Sequence, residues 1–201
     1  MKLIVITYPE PLEHEVSTIH DLFEHGLELL HIRKPGQDAS FTEQFLRQLN
    51  PAYYNRVVLH QHHELASKFN IRRLHFNEHT RQSKTEDEFR HLKESGFTLS
   101  TSVHSDTPAE TISAHFDYAL CGPVFASISK PGYGHDHADL TWMHAFRNKL
   151  SLVAVGGISP EKLGQLETMG FRGAALLGII WKNTSESVKQ LEECQQLLHT
   201  H

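Results

Sequence analysis

The chain has 201 residues, of which 39% are hydrophobic and 21% are charged, and its formal net charge at pH 7 is -5. This balance fits one soluble globular domain with a sizeable core, and it gives no support for a nucleic-acid partner, which usually requires a basic patch. No apolar run approaches the length of a membrane helix, so we expect no membrane partner. Two cysteines make neither a disulfide framework nor a zinc pattern, and a reducing cytoplasm is the expected location.

Eight short apolar segments along the chain are predicted to be strands. In chain order they are Leu3–Ile6, Leu29–Arg33, Arg56–His60, Arg73–Phe76, Phe97–Ser102, Tyr118–Cys121, Leu152–Val155 and Gly173–Gly178. Helices are predicted between them, including one that opens at Asp106 and carries Ile112, whereas residues 77–84 and 122–137 are predicted loops. The alternation predicts an α/β fold, a compact (β/α)₈ TIM barrel forming one domain over residues 1–201. An open doubly wound sheet is the alternative.

The seventh predicted strand runs directly into Gly156 and Gly157, which permit a sharp turn and close approach of the backbone to a ligand. In a barrel, phosphate commonly binds after the seventh and eighth strands, where backbone N–H groups face the ligand. The turn after the eighth strand contains Leu177 and Gly178. These four residues are predicted to bind phosphate; close packing of a strand on a helix is the alternative.

Two further segments offer groups that suit an anion. Ser127, Ser129 and Lys130 lie in the long sixth loop, where hydroxyls and an ammonium group would hold phosphate oxygens. The alternative is a polar loop without function. Arg33 and Lys34 end the second strand, and the arginine fork matches a phosphate or a carboxylate. A structural ion pair is the alternative for these two residues.

Histidines are frequent where the predicted strands end. His31 shares a strand face with Arg33, by alternation. The run His60–His63 contains three imidazoles that could bind a transition metal, but no carboxylate or cysteine recurs at a suitable spacing. Hydrogen-bonded histidines are therefore the expected interpretation, no metal is expected, and His75 and His79 are interpreted in the same way.

Ser102 ends the fifth predicted strand and His104 follows shortly after it, at the end of the barrel where catalytic residues lie. Ser102 could donate a hydrogen bond to a ligand oxygen, and His104 could transfer protons near neutral pH. The alternative is a core histidine next to a helix cap formed by Ser105.

The ordered set of motifs resembles the thiamin phosphate synthase/TenI family over essentially the whole chain. The matching segments are 31–34 (HIRK), 102–105 (SVHS), 122–125 (GPVF), 127–131 (SISKP), 155–158 (VGGI) and the turn at Leu177 and Gly178. The resemblance implies a (β/α)₈ barrel that binds a thiazole phosphate in thiamin biosynthesis.

Two activities occur in this family, and the resemblance implies different requirements for each. The synthase joins a pyrimidine diphosphate to thiazole phosphate and uses Mg²⁺, for which carboxylates are the usual ligands. The family's Asn-Asp pair aligns with His60 and Gln61 here, its later Asp aligns with Thr80, and its strand-2 lysine aligns with Pro35. Glu78 is the nearby carboxylate and thus a weak candidate metal ligand.

The TenI branch tautomerises a thiazole carboxylate phosphate and needs no Mg²⁺, which fits the missing acidic ligands. The histidine that this branch carries after the sixth strand is Pro123 here, so His104, His31 or His135 would move the proton. We expect a divergent TenI-like enzyme without a required cofactor, with His104, Ser102 and His31 as catalytic residues. A synthase with rearranged Mg²⁺ ligands and a non-catalytic phosphate-binding barrel are the alternatives. The expected partner is a small thiazole phosphate, and a homodimer is an open expectation for the assembly.

Overall fold

A computed structural model describes residues 1–126 and 140–199 of the chain. Its centre is a closed barrel of eight parallel strands in sequential order, with β8 paired to β1. The strands are β1 (Lys2–Ile6), β2 (Leu29–Ile32), β3 (Val57–Leu59), β4 (Arg73–Phe76), β5 (Thr98–Val103), β6 (Tyr118–Cys121), β7 (Ser151–Val155) and β8 (Gly173–Leu176). The predicted (β/α)₈ barrel is confirmed.

Side chains alternate between the barrel interior and the surrounding layer because successive residues of a strand face opposite ways. The interior holds an apolar cluster that includes Ile4, Ile6, Val58, Leu120 and Val153. The opposite strand faces contribute to the larger core under the helices, as Leu3 and Val5 do in β1.

The α-helices surround the barrel. They are α1 (Glu15–Glu24), α2 (Ala39–Gln48), α3 (Leu65–Lys68), α4 (Glu78–Gln82), α5 (Glu86–Glu94), α6 (His144–Arg147), α7 (Leu163–Thr168), α8 (Gly178–Trp181) and α9 (Ser187–His199). Local sequence sets several starts: the Asp38 carboxylate accepts from the Phe41 N–H at α2, and Thr85 and Glu88 form a capping box at α5. In the described part of the chain, no helix is both long and apolar enough to cross a membrane.

Two predicted segments differ from the structure. The helix expected from Asp106 is a single 3₁₀ turn, Ala109–Thr111, and Ile112 ends that turn. Conversely, the expected loop over 77–84 contains α4, because the Asn77 side chain caps the Thr80 N–H at 2.9 Å. Arg81 of α4 donates to the Thr101 hydroxyl and to the Ser102 carbonyl, each at 2.7 Å, and so fixes this short helix beside the end of β5.

Candidate active site

A cavity of about 670 Å³ opens at the carboxyl ends of the strands. This is the end where barrel enzymes place their chemistry, and the volume suits a small-molecule ligand. Its walls combine apolar residues with polar groups, including Arg33, His60, His75, Asn77, Ser102 and His104.

His104 lies on this cavity with a defined tautomer. Its Nδ1 is 2.8 Å from the carbonyl oxygen of Gly122, and a carbonyl can only accept, so Nδ1 carries the proton. The Nε2 of the neutral ring is therefore an acceptor. The backbone N–H of His104 donates to the Thr107 hydroxyl at 3.0 Å, which fixes the segment after β5. This arrangement suits a general base.

Ser102 also lines the cavity and is hydrogen-bonded to a buried histidine. Its Oγ lies 3.0 Å from His75 Nε2, while His75 Nδ1 lies 3.0 Å from the hydroxyl of Ser100. Both ring nitrogens of His75 thus have partners from β5. Burial and the neighbouring His31 lower the pKa of His75 well below 6.5, so this ring is neutral at pH 7.

His31 lies deeper, inside the barrel, and is completely buried. Its Nδ1 is 2.8 Å from His60 Nε2, and its Nε2 is 2.7 Å from the Tyr118 hydroxyl. Burial, with a smaller contribution from Arg73, lowers the pKa of His31 to about 3. His31 was predicted to be catalytic, and the structure places it behind His60, outside the residues that line the cavity.

The structure corrects the prediction that Lys34 binds phosphate. Its side chain is 1% exposed and forms an ion pair with Glu15, whose side chain is 3% exposed. The same ammonium group donates to the carbonyls of Tyr8 and Glu10 at 2.8 and 3.0 Å. All three ammonium protons are therefore used in a structural contact, which was the alternative left open for this residue.

Arg33 is exposed at the rim of the cavity, in contrast to Lys34. Its backbone is fixed by Thr7, whose hydroxyl accepts from the Arg33 N–H at 2.9 Å. Within residues 1–126 and 140–199, no carboxylate forms an ion pair with its guanidinium, which suits binding of an anionic group of a ligand. This role stays a prediction.

Gly156 and Gly157 both have positive φ, 96° and 64°. A Cβ on Gly157 would lie 2.2 Å from the carbonyl oxygen of Ala126, and one on Gly156 would lie 2.9 Å from the Pro123 side chain. Close approach to the segment after β6 therefore requires both glycines, whether or not they also bind phosphate. Beside this corner, Leu177 lines the cavity and Gly178 begins α8.

Metal ligands of the magnesium type are scarce here. Among the described residues that line the cavity, Glu78 supplies the only carboxylate, and its Oε1 accepts from the Gln82 amide at 3.2 Å. His60 and Gln61 occupy the predicted acidic positions, and the Gln61 amide oxygen accepts from the Lys34 N–H at 3.0 Å. These donors do not match the carboxylate-rich coordination that Mg²⁺ prefers.

The predicted phosphate residues Ser127, Ser129 and Lys130 lie outside the described residues, as does His135. The main residue missed from sequence is Tyr118, which appeared there only as the start of a strand. Its signal was available: polar side chains two residues apart recur on β4, as Arg73 and His75, and on β5, as Ser100 and Ser102. In a closed barrel this alternation places them together in the interior.

Comparisons with known proteins relate this chain to one enzyme family. The family model described as thiamine monophosphate synthase matches residues 3–180. A thiamine phosphate pyrophosphorylase from Bacteroides thetaiotaomicron is 26% identical, with a TM-score of 0.73 over 99% of this chain and 98% of that one.

More distant structures share the fold. A thiamine phosphate pyrophosphorylase from Pyrococcus furiosus is 18% identical, with a TM-score of 0.71 over 99% of this chain and 96% of that one. A 3-hexulose-6-phosphate synthase from Salmonella typhimurium is 12% identical, with a TM-score of 0.64 over the full length of both chains. The search of curated protein sequences gave no significant match.

Proposed function

Because the chain belongs to the thiamine monophosphate synthase family, we propose that it binds a thiazole phosphate and acts as a TenI-like enzyme that moves a proton on the thiazole ring. The family match and the structural neighbours support the broader statement, a thiamin-biosynthetic enzyme. The choice between a tautomerase and a synthase depends on which chemical groups line the cavity.

The observation that carries the proposal is the contrast between a poised base and a weak magnesium site. His104 holds its proton on Nδ1 through the Gly122 carbonyl and leaves Nε2 as an acceptor beside the cavity. Glu78 is the single carboxylate among the described lining residues. Proton transfer needs a base of this kind and no diphosphate-bound Mg²⁺.

The proposed reaction is a tautomerisation, in which one proton leaves a position of the bound thiazole ring system and another is added elsewhere on it. His104 Nε2 accepts the first proton and the resulting imidazolium returns a proton, so the enzyme ends unchanged. Ser102 donates a hydrogen bond to the reacting portion, backed by His75. Arg33 holds an anionic substituent, and the corner at Gly156, Gly157 and Gly178 holds the phosphate.

A synthase with rearranged ligands is the second candidate. The similarity to the Bacteroides thetaiotaomicron pyrophosphorylase favours it. Pro123 favours it too, because the TenI branch carries a histidine at this position, whereas synthases resemble this chain there. In that case Glu78 would have to contribute to Mg²⁺ binding. The third candidate, a non-catalytic barrel, would bind thiazole phosphate without turnover.

The decisive experiment supplies the purified protein with both phosphorylated precursors, with Mg²⁺ and then with chelator, and measures thiamin phosphate. We expect no product under either condition while thiazole phosphate still binds. Mg²⁺-dependent product would establish the synthase and overturn the proposal. If a parallel assay also detects no tautomerisation of a thiazole carboxylate phosphate, binding alone would favour the non-catalytic barrel.

A further inference from the structure

Three buried histidines from neighbouring strands meet inside the barrel, directly below the cavity. His31 comes from β2, His75 from β4, and His60 directly follows β3. They are 0%, 1% and 7% exposed, and one ring nitrogen from each lies within 4.8 Å of the others. The rings of His60 and His75 are stacked with centroids 4.0 Å apart. No step of the proposed proton transfer requires this convergence.

The partners around these rings resemble the outer shell of a metal site. Metal-bound histidines usually donate their other N–H to a hydrogen-bond acceptor, which fixes the tautomer. Tyr118 is 2.7 Å from His31 Nε2 and can accept that proton, leaving Nδ1 as a ligand beside His60. The hydroxyls of Ser100 and Ser102 lie 3.0 Å from the two nitrogens of His75, so one of them would support the ring while the other releases its nitrogen to the ion.

We propose that His31, His60 and His75 form a binding site for a divalent transition metal of the zinc class, with an open coordination position toward the cavity. Three imidazoles plus one open position is a known arrangement for zinc. His60 and His75 line the cavity, so a water molecule or a ligand heteroatom could approach the ion from there. The inference does not depend on the proposed proton transfer.

The ligand atoms select the class of metal. The positive charges of Arg33 and Arg73 oppose any cation at this position, so the three imidazoles must supply the affinity. The absence of a carboxylate from this cluster disfavours a hard ion such as Mg²⁺, which needs oxygen ligands. Neutral imidazoles instead suit Zn²⁺, Co²⁺ and Ni²⁺.

Metal binding would exchange two hydrogen bonds, the one between His31 and His60 and one of the two serine bonds of His75, for metal–nitrogen bonds. His31 Nδ1 and His60 Nε2 are 2.8 Å apart. In a tetrahedral zinc site two ligand nitrogens are roughly 3.3 Å apart, given metal–nitrogen distances of about 2.0–2.1 Å. The required separation of the rings is about half an ångström, which is within reach of small side-chain rotations.

The test is titration of chelator-treated protein with Co²⁺, followed by visible absorption, and then displacement by Zn²⁺. We expect one Co²⁺ per chain with the intense visible bands of a four-coordinate ion. His75→Leu should weaken Co²⁺ binding by at least ~100-fold, the upper end for losing even an outer-shell partner. His79→Gln is the matched control, because His79 lines the same cavity outside the cluster, and it should bind Co²⁺ like the unaltered protein.

Tyr118→Phe keeps the test decisive if His75→Leu fails to fold, because it removes only the hydroxyl beside His31. It should weaken Co²⁺ binding by about 10- to 100-fold while circular dichroism stays unchanged. Absence of the four-coordinate spectrum in the unaltered protein would overturn the proposal. Equal Co²⁺ affinity in the folded cluster variants would overturn it too, because the ion would then sit on other histidines.

Discussion

His104 Nδ1 donates to the carbonyl oxygen of Gly122 across 2.8 Å, so the residue after β5 is oriented by the residue after β6. A backbone carbonyl can only accept a hydrogen bond, so the neutral ring is held as the tautomer with its proton on Nδ1. The orientation of the proposed base thus depends on main-chain geometry at Gly122. A Cβ on that glycine would lie 2.1 Å from the Val155 carbonyl oxygen, so β7 fixes Gly122 in turn.

Replacing His104 by Gln should lower turnover without removing the substrate-binding groups. Loss of a positioned general base costs typically about 10²- to 10⁴-fold, and we expect kcat to fall by that range while binding of thiazole phosphate is retained. His79→Gln, from the exposed side of the same cavity, is the control. Unchanged kcat in His104→Gln would show that another group transfers the proton.

Lys34→Met should destabilise the protein rather than weaken phosphate binding. It would leave the buried Glu15 carboxylate without its cation, and such a loss costs about 3–5 kcal/mol. Urea unfolding measures this directly.

The double variant Glu15→Leu/Lys34→Met separates the two interpretations of this lysine. It removes both charges, so its free energy of unfolding should exceed that of Lys34→Met alone. A specific loss of phosphate affinity in Lys34→Met at unchanged stability would contradict the structural role.

Gly157→Ala should be much more destabilising than Gly96→Ala. Both positions have positive φ, 64° and 84°, but a Cβ on Gly157 would collide with Ala126, whereas nothing lies within 4 Å of one on Gly96. Gly96→Ala measures the backbone term, more than about 1 kcal/mol, and the excess in Gly157→Ala measures the close approach. If both variants lost the same free energy of unfolding, the close approach of Gly157 to Ala126 would contribute nothing to the cost.

The histidines inside the barrel should make stability fall as the pH drops below 6.5. Burial lowers the pKa of His31 from 6.5 to about 3 and also lowers the pKa values of His60 and His75. Between the lowered and ordinary values the unfolded chain binds more protons than the native state, so acidification favours unfolding.

Each such histidine contributes about 1.4 kcal/mol per pH unit within its window. Comparison of metal-free protein at pH 7 and pH 5 by urea unfolding measures the sum. His75→Leu should reduce the number of protons taken up on unfolding by up to one. The same pH dependence in His75→Leu and the unaltered protein would contradict a buried neutral His75.

Much of the fold follows from sequence because the barrel strands are short apolar runs with clear boundaries. The helix after β5 was wrongly predicted because 106–112 has Ile112 as its only large apolar residue, and the segment forms a single 3₁₀ turn without a side-chain cap. Helix α4 was missed because its only buried residue is the charged Arg81, whose partners lie on β5.

The candidate site was predicted less completely for a similar reason. Position after a strand indicated that His104 and Ser102 face the cavity, and the structure places both there. It could not distinguish Arg33 from Lys34, because the partner that buries Lys34 is Glu15, on α1. The contacts of His31 with His60 and Tyr118 also depend on the register of the barrel strands. His60 lies 29 positions from His31 in the sequence, and Tyr118 lies 87 positions from it.

The most direct test is to follow tautomerisation of a thiazole carboxylate phosphate by NMR, with no added Mg²⁺ and with Mg²⁺ present. The account predicts turnover at the same rate in both conditions and a large loss in His104→Gln. Absence of tautomerisation, with Mg²⁺-dependent formation of thiamin phosphate once the pyrimidine diphosphate is added, would contradict it.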